Sequence, residues 1–193
     1  MLLSAVKNLA SNPPPQIPVH IKLKHTPGLF LTGFMGAGKS TTGPILADKL
    51  GWDFKDLDSV IEENEGAPVP LIFATQGEAT FRRMEHAALR QLIVGIQRGK
   101  PLVVALGGGA FPDPANFDLL TTSGITVWLD CSFETAFSRV ASEGNRPLAK
   151  DPGLFRQLFD ERRIAYARAD YRVDAEADPE AVAFAILGLP LWK

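Results

Sequence analysis

Short apolar segments alternate along this chain with longer segments in which apolar residues recur every three or four positions. The first short segment is Leu29–Thr32, and four more are found at 52–56, 102–106, 125–129 and 171–174. Segments of this length between turn residues predict buried strands. Because a helical pattern separates each strand from the next, right-handed crossovers are expected. The pattern predicts a three-layer α/β/α domain around a five-stranded parallel sheet.

The clearest helical periodicity runs from about 78 to 97, directly after Gly77. Within it Phe81, Met84 and Ala88 fall at three- and four-residue spacing, which is typical of a helix packed against a core. Further helices are predicted at 41–50, 57–65, 69–75, 113–122, 133–141, 154–169 and 179–187.

Composition limits the class of protein. The 193 residues suit one domain, and 46% hydrophobic with 22% charged residues is ordinary for a globular protein. A net charge of −2 gives no indication of a nucleic-acid or membrane-surface partner, and no apolar run is long enough to span a bilayer. Cys131 is the single cysteine, so a buried thiol in a reducing compartment is expected, and we predict a cytoplasmic protein.

The first 28 residues differ from the rest, since they contain three lysines and no Asp or Glu. Lys7 interrupts the apolar start, which excludes a signal-peptide core. An acid-free segment weakly resembles an organellar transit peptide, but it has no Arg. We therefore expect residues 1–28 to be a poorly ordered extension, 29–188 to be the domain and 189–193 to be a short tail.

The segment Gly33–Ser40 reads GFMGAGKS and matches G-x-x-x-x-G-K-[ST] between a predicted strand and a predicted helix. Its glycines let backbone N–H groups converge on an anion at the helix N-terminus. Lys39 can reach the β- and γ-phosphates, and the Ser40 hydroxyl can bind Mg²⁺. A glycine-rich turn that matches by accident is disfavoured by the flanking strand and helix. The motif predicts an ATP site formed by Gly36, Ala37, Gly38, Lys39, Ser40 and Thr41.

Two carboxylates, Asp56 and Asp58, follow the second predicted strand. A phosphate-loop kinase needs one carboxylate near Ser40 for Mg²⁺ and another to take a proton from the attacking hydroxyl. Spacing of two places both on one face if the strand continues. The same residues fit a solvated turn followed by a helix N-cap equally well.

Arg82 and Glu85 lie one helical turn apart, so Glu85 can orient Arg82. An ordinary surface ion pair is the alternative. The aromatic residues Phe73 and Phe81 fit either the walls of a pocket or the core. Gly107–Gly109 directly follows an apolar strand, and three glycines suit a place where a ligand approaches the backbone closely, so we favour a ligand-facing loop.

A polar segment at 142–153 contains Arg146. It fits a mobile lid that excludes water and neutralises charge on a transferred phosphoryl group, and it fits a solvated loop equally well. Arg162 and Arg163 precede Tyr166 on a predicted helix. One of them can face an anionic substrate, although exposure is the default for a surface arginine.

Taken together, these motifs resemble the shikimate kinase family. The segments that carry the resemblance are 33–40, 56–58, 72–85, 106–110 and 146–148, and the order and spacing agree from about 29 to 188. The resemblance implies a nucleoside monophosphate kinase-like P-loop fold with a mobile lid. It also implies a monomeric enzyme that uses ATP and Mg²⁺ to phosphorylate the 3-hydroxyl of shikimate in aromatic amino-acid biosynthesis. The alternatives are another small-molecule kinase, such as a gluconate kinase, and a catalytically silent nucleotide-binding regulator.

The resemblance also implies residue roles. Those with a catalytic role would be Asp58, Lys39 and Arg146. Mg²⁺ would be held by Ser40 and Asp56. Besides the phosphate loop, ATP would be contacted by Arg139 and Arg146. Shikimate would be contacted or enclosed by Asp58, Arg82, Gly107, Gly108, Gly109, Arg162, Phe73 and Phe81, with Glu85 orienting Arg82.

The sequence departs from the family pattern at two places. Pro44 lies inside the predicted helix after the phosphate loop, where it removes the bond to the Ser40 carbonyl and would kink the helix at a cost of up to about 3 kcal/mol. Arg162–Tyr166 reads RRIAY where the family usually has Arg-x-Pro-Leu-Tyr. The choice between Arg162 and Arg163 therefore stays open, and we favour Arg162, four residues before Tyr166.

Overall fold

The structure, a computed structural model, describes residues 28–142 and 151–190. Within them, five strands form one sheet: β1 (Gly28–Thr32), β2 (Asp53–Asp56), β3 (Leu102–Ala105), β4 (Gly124–Asp130) and β5 (Tyr171–Asp174). The order is β2-β3-β1-β4-β5, and every pairing is parallel. All five residues of the central strand β1 are buried, as expected for a strand with both faces covered. The predicted α/β fold with a five-stranded parallel sheet is confirmed.

The described residues also form seven helices: α1 (Lys39–Leu50), α2 (Leu57–Glu65), α3 (Val69–Gln97), α4 (Pro114–Ser123), α5 (Phe133–Ser142), α6 (Pro152–Tyr166) and α7 (Pro179–Leu187). The helices predicted at 69–75 and 78–97 are one element, α3, with a break between them. At the break Gly77 has φ 77° and ψ 168°, which are non-helical. Essentially only glycine adopts these backbone angles. The predicted boundary between the two helices is therefore present as a kink within α3.

Aspartates set where several helices begin. The N-caps of α2, α4, α6 and α7 are Asp56, Asp113, Asp151 and Asp178, and each side chain accepts backbone N–H groups of the following turn. The prediction of 154–169 for α6 is wrong at both ends. The helix starts at Pro152 because Asp151 caps it, and it ends at Tyr166.

Aromatic packing joins the phosphate loop to α5 and α6. The ring of Phe34 meets Phe155 and Phe159 edge-on, at centroid distances of 5.1 and 5.2 Å. Phe133 and Phe137 of α5 contact Phe155 at 5.8 and 5.3 Å. Edge-to-face geometry is favoured for such pairs. The packing holds α6 against the loop at the end of β1.

Several sequence predictions lie outside the described residues. These are the N-terminal segment up to residue 27, the tail from 191, and the central part of the predicted lid, 143–150, with Arg146. Gly28 is already the first residue of β1. The division of the chain into an extension, a domain and a tail stays a prediction. Among the described residues, no helix has both the length and the apolarity that crossing a membrane requires.

Pro44 does not interrupt α1, which runs from Lys39 to Leu50 with the exposed proline inside it. The helix thus continues past a residue that cannot donate a backbone hydrogen bond to the Ser40 carbonyl.

We expect Pro44→Ala to raise the free energy of unfolding by about 2–2.6 kcal/mol. The substitution restores the missing bond and removes a ring clash that costs about 3 kcal/mol, but it also frees the unfolded chain, which offsets about 0.4–1 kcal/mol. Urea denaturation measures the change. As a control, Pro179→Ala alters the first residue of α7, where proline is well tolerated, and should bring no gain. An unchanged or lower stability for Pro44→Ala would contradict the expectation.

Candidate active site

The phosphate loop connects β1 to α1 at the carboxyl end of the central strand. Gly36 and Gly38 have φ of 79° and 89°, a region that other residues rarely adopt. A Cβ on Gly36 would lie 2.7 Å from the Ala136 carbonyl oxygen. Because Gly38 caps α1 without a side chain, the first N–H groups of the helix face the loop and form an anion cradle.

Lys39 closes the loop upon itself. Its Nζ donates to the carbonyl oxygens of Gly33, at 2.8 Å, and Phe34, at 3.0 Å, and the residue is buried. A buried ammonium with backbone partners holds a positive charge beneath the place where the N–H groups converge. The local charge distribution therefore suits a polyphosphate.

Asp56 accepts hydrogen bonds with both of its carboxylate oxygens. Its Oδ2 accepts the Ser40 hydroxyl at 2.6 Å, while its Oδ1 accepts the backbone N–H of Asp58 at 3.0 Å and of Ser59 at 3.4 Å. One carboxylate thus caps α2 and also lies beside the phosphate-loop hydroxyl. The condition for a shared strand face is not met, because β2 ends at Asp56 and Asp58 is the second residue of α2, the helix predicted at 57–65. Both still line one cavity of about 340 Å³ with Lys39 and Ser40.

The three glycines after β3 are contacted by three site side chains. A Cβ on Gly107 would lie 2.5 Å from Asp58 Oδ1, and one on Gly109 would lie 2.5 Å from both terminal nitrogens of Arg82. A Cβ on Gly108 would lie 2.9 Å from Arg162 Nη1. Each glycine therefore admits one polar side chain to the backbone, so the loop brings together residues of α2, α3 and α6.

Tyr166 holds this glycine loop in place. Its hydroxyl donates to the Gly108 carbonyl at 2.6 Å, and the side chain is fully buried. Burial raises the pKa of Tyr166 to about 12, although nearby Arg162 acts in the opposite direction. The phenol thus keeps its proton and remains a donor over the working pH range.

Arg82 is held by two carboxylates with different exposure. Its Nη1 donates to both oxygens of Glu85, at 3.2 and 3.0 Å, and its Nε and Nη2 donate to Glu78 Oε1, at 3.4 and 3.1 Å. The Glu85 side chain is 1% exposed and that of Glu78 is 68% exposed. Burial raises the pKa of Glu85 to about 7 against the lowering effect of Arg82. A pair with one buried partner is not the surface ion pair left open by the sequence.

The structure distinguishes the two neighbouring arginines of α6. Arg162 lines a cavity of about 580 Å³ together with Arg82 and Gly109. The Nη2 of Arg163 instead donates to Asp130 at 3.0 Å, and its guanidinium lies 5.5 Å from the Trp128 ring. Arg162 is therefore the arginine at the cavity, as favoured from its spacing to Tyr166.

Phe73 and Phe81 are not among the residues that line this cavity. Phe73 and Phe81 contact each other at a centroid distance of 4.5 Å, and Phe81 is buried in the core. The lining of the Arg82 cavity comes from Glu78, Ala79, Arg82, Gly109, Pro112, Asp113 and Arg162. The Arg82 guanidinium lies 5.4 Å from the centre of the Phe81 ring.

Arg139 bridges the phosphate loop and the loop after β5. Its Nη1 donates to the Gly36 carbonyl at 3.1 Å, and its terminal nitrogens donate to the Ala175 carbonyl at 3.4 and 3.3 Å. A third cavity, of about 270 Å³, opens beside it and is lined by Ala37, Thr41, Pro179 and Val182 among others. An apolar floor with one guanidinium at its edge suits a planar base next to the phosphates.

Sequence reasoning missed several contributors to the site. The 72–85 segment contains Glu78 but does not indicate its contact with Arg82, and the backbone of Ala175 becomes part of the site only through the fold. The sequence indicates Tyr166 only as a neighbour of the two arginines. A tyrosine on the apolar face of a helix, four residues after an inward-facing arginine, was the available signal, because a buried phenol needs a partner.

Comparisons with known proteins agree with this geometry. The family model for shikimate kinase matches residues 35–188. The chain belongs to the shikimate kinase family. This family member is 42% identical over 149 residues to the shikimate kinase of Sulfurihydrogenibium sp. (strain YO3AOP1), a match that covers 77% of this chain and 87% of the relative.

Solved structures of shikimate kinases have folds similar to that of this chain. The shikimate kinase of Acinetobacter baumannii, solved in complex with shikimate, superposes with a TM-score of 0.77 at 37% identity and covers 83% of this chain and 90% of its own. A gluconokinase from Sinorhizobium meliloti 1021 gives a TM-score of 0.54 at 16% identity, with coverage of 83% and 90%. That second likeness shows the shared fold alone.

We expect Tyr166→Phe to lower the free energy of unfolding by about 1–3 kcal/mol. The change removes only the hydroxyl and leaves the buried Gly108 carbonyl without that donor. Urea denaturation at neutral pH measures the loss. The same substitution at the half-buried Tyr171 is the control and should change stability by less. Equal effects at the two positions would contradict a special role for the Gly108 contact.

Stability should depend on pH through Glu85. Its folded-state pKa of about 7 lies above the ordinary 4.5, so between these values the folded state keeps a proton that the unfolded state has lost. Relative to Glu85→Gln, the wild type should therefore lose on the order of 3 kcal/mol as pH rises from 4.5 to 7, and no more above pH 7. Paired urea titrations at several pH values measure this difference. A difference that stays constant, or that grows with pH, would show that burial does not dominate.

Proposed function

We propose that this protein transfers the γ-phosphoryl group of ATP to the 3-hydroxyl of shikimate, giving shikimate 3-phosphate and ADP for aromatic amino-acid biosynthesis. One observation carries the proposal. Asp58 with the phosphate loop and Arg82 with Arg162 face two cavities joined by the same glycine loop. Since Gly107 and Gly109 are two residues apart, their Cα atoms are at most about 7.6 Å apart. That span suits a small ring acid with a hydroxyl toward one group and a carboxylate toward the other.

The arginines would recognise the carboxylate. Two guanidinium groups from different helices can hold a planar carboxylate with paired hydrogen bonds. The exposed Glu78 accepts from the Nε and Nη2 edge of Arg82, so the substrate carboxylate would compete with it for this edge. The buried Glu85 keeps its own bonds to Nη1 and holds the guanidinium in place.

Catalysis would consist mostly of positioning and electrostatics, because phosphoryl transfer asks for little covalent chemistry from the protein. Asp58 would receive or orient the attacking hydroxyl, and Lys39 with the N–H groups of the loop would stabilise the phosphates. Arg139 and the cavity beside it would hold the base. Arg146 lies outside the described residues, and its action from a lid stays a prediction. Phe81 would support Arg82, whose guanidinium lies 5.4 Å from its ring, and a role of Phe73 in the pocket wall stays a prediction.

The residues near Ser40 fit Mg²⁺. A hydroxyl and a carboxylate, Ser40 and Asp56, lie 2.6 Å apart beside the phosphate cradle. Among the described residues, no group of three or more His, Cys, Asp or Glu side chains could hold a metal ion by itself. This suits Mg²⁺, which is typically bound through one or two carboxylates together with substrate phosphates. When bound, the ion would supply charge neutralisation for the transferred phosphoryl group.

We also infer that one copy of the chain acts alone in the cytoplasm. Substrate recognition and phosphoryl transfer would both use residues of one chain, from α1, α2, α3 and α6. Cys131 is buried, and burial raises its thiol pKa to about 11. A single unreactive thiol is consistent with a reducing compartment.

A coupled assay of ADP release tests the proposal. ADP formation should depend on shikimate and on Mg²⁺, and it should stay at the background rate with gluconate or with no acceptor. Turnover that follows gluconate and ignores shikimate would overturn the substrate assignment. ATP binding without turnover for either acid would favour a silent nucleotide-binding regulator.

We expect Asp58→Asn to lower turnover by about 10²–10⁴-fold, the range typical of a lost general base, while ATP binding changes little. The carboxamide keeps the size of the side chain but cannot accept the proton. The ADP-release assay measures turnover and isothermal titration calorimetry measures ATP binding. Asp53→Asn, at an exposed position of β2, is the matched control and should remain active. An active Asp58→Asn protein would refute the assigned role.

A further inference from the structure

A line of buried polar side chains continues behind Arg82, away from the substrate cavity. Glu85 accepts from Arg82, and its Oε2 also accepts Nδ2 of Asn116 at 3.4 Å. The Oδ1 of Asn116 lies 2.9 Å from Nδ1 of His86. Asn116 is only 1% exposed, so its amide does not reach the substrate and water does not compete for its bonds. The line joins α3 and α4.

The fold places Asn116 there through a helix cap. Asp113 caps α4 and accepts the backbone N–H groups of Ala115, at 2.9 Å, and Asn116, at 3.2 Å. The first turn of α4 is thereby fixed against α3. Because α4 follows the glycine loop, the same short stretch of chain supplies the floor of the cavity and a support for Arg82.

The chemistry of the partners sets the orientation of the amide. An ionised carboxylate only accepts hydrogen bonds, so the Asn116 amide must present its NH₂ to Glu85. Its carbonyl oxygen then faces His86, whose Nδ1 must carry the proton that is shared with it. His86 thereby disfavours the flipped amide, in which the oxygen would face the carboxylate.

Glu85 needs such a donor because of the charges around it. Arg82 on its own helix attracts the carboxylate, while Asp58 from α2 and Asp113 from α4 repel it. Burial acts in the same direction as the two aspartates and favours the protonated acid. A donated N–H favours the ionised form that holds Arg82 most strongly. The bond at 3.4 Å is at the long end of the range, but both groups are almost fully buried.

We propose that Asn116 is a positioning residue for substrate recognition, which holds Glu85 so that Glu85 presents Arg82 to the substrate carboxylate, with His86 orienting the amide of Asn116. The inference rests on the proposed function, since it assigns the recognised group to the carboxylate of that substrate. The effect falls on binding of the acid, because Asn116 acts through Glu85 on Arg82, the residue that would bind the carboxylate.

The test compares variants of the full chain in the shikimate-dependent assay. We expect Asn116→Leu to raise the KM for shikimate by about tenfold or more, the factor that follows from losing a buried hydrogen bond to a charged group. The KM for ATP and kcat should stay within about twofold, because the loss affects binding of the acid and not transfer. The control Thr122→Val removes an exposed hydroxyl from the same helix and should leave all three constants unchanged.

Two further variants separate positioning from a loss of packing. Asn116→Asp keeps the shape of the side chain but places a second carboxylate beside Glu85. The KM for shikimate should therefore increase as pH rises from 6 to 8. A purely structural defect would not follow pH in this way. His86→Leu changes a half-buried position and should raise the KM by a few-fold, because the amide is free to flip. These two variants decide the question if Asn116→Leu fails to fold.

The outcomes are distinguishable from failure of the proposed function. If the wild type does not respond to shikimate, the proposed function fails, and a double-mutant cycle in urea still tests the contact: Asn116→Leu and Glu85→Gln should be non-additive in unfolding free energy. An unchanged shikimate KM in a folded Asn116→Leu protein overturns the proposal. Parallel losses in kcat and in the KM for ATP overturn it as well, since they indicate general damage.

Discussion

The site depends on the absence of three β-carbons. Asp58, Arg82 and Arg162 come from three different helices, and each ends where the Cβ of Gly107, Gly109 or Gly108 would otherwise lie. No other residue lets so much polar surface meet one short stretch of backbone. The sheet makes this possible, because the loop emerges from β3 next to the central strand, and the carboxyl ends of parallel strands meet at one edge. Three glycines are thus required to bring a base and two guanidinium groups together, although they have an entropic cost.

Aspartates at two helix starts also contribute to the arrangement of the site. Asp56 caps α2 and also accepts the hydroxyl of Ser40, so the end of β2 and the phosphate loop are fixed by one carboxylate. Asp113 caps α4 and thereby sets the first turn that carries Asn116. An N-cap side chain fixes where its helix begins. In this protein the helix starts at Asp56 and Asp113 therefore help to position Asp58 and Asn116.

Burial of one carboxylate is energetically costly in this structure. Glu85 is almost fully buried, and its pKa is raised to about 7 by burial. An acid in that environment is retained because it offsets the charge of Arg82 from the side away from the cavity. The result is a guanidinium that keeps its orientation without losing the edge that faces the substrate. The exposed Glu78 contributes less, since solvent screens it.

The sequence by itself determined the sheet, the phosphate loop, most helix boundaries and the family resemblance, because strand periods, capping residues and glycine motifs act over a few neighbouring residues. It also identified the charged residues of the site from their motifs. Only the tertiary structure decided that Asp56 both caps α2 and accepts the Ser40 hydroxyl, and that Arg162 and not Arg163 lines the cavity with Arg82. It alone brought Tyr166 to Gly108. The reason is physical: these outcomes depend on contacts between segments tens of residues apart, and burial in a shared core, which sets the direction and the pKa of each group, is not encoded in any local pattern.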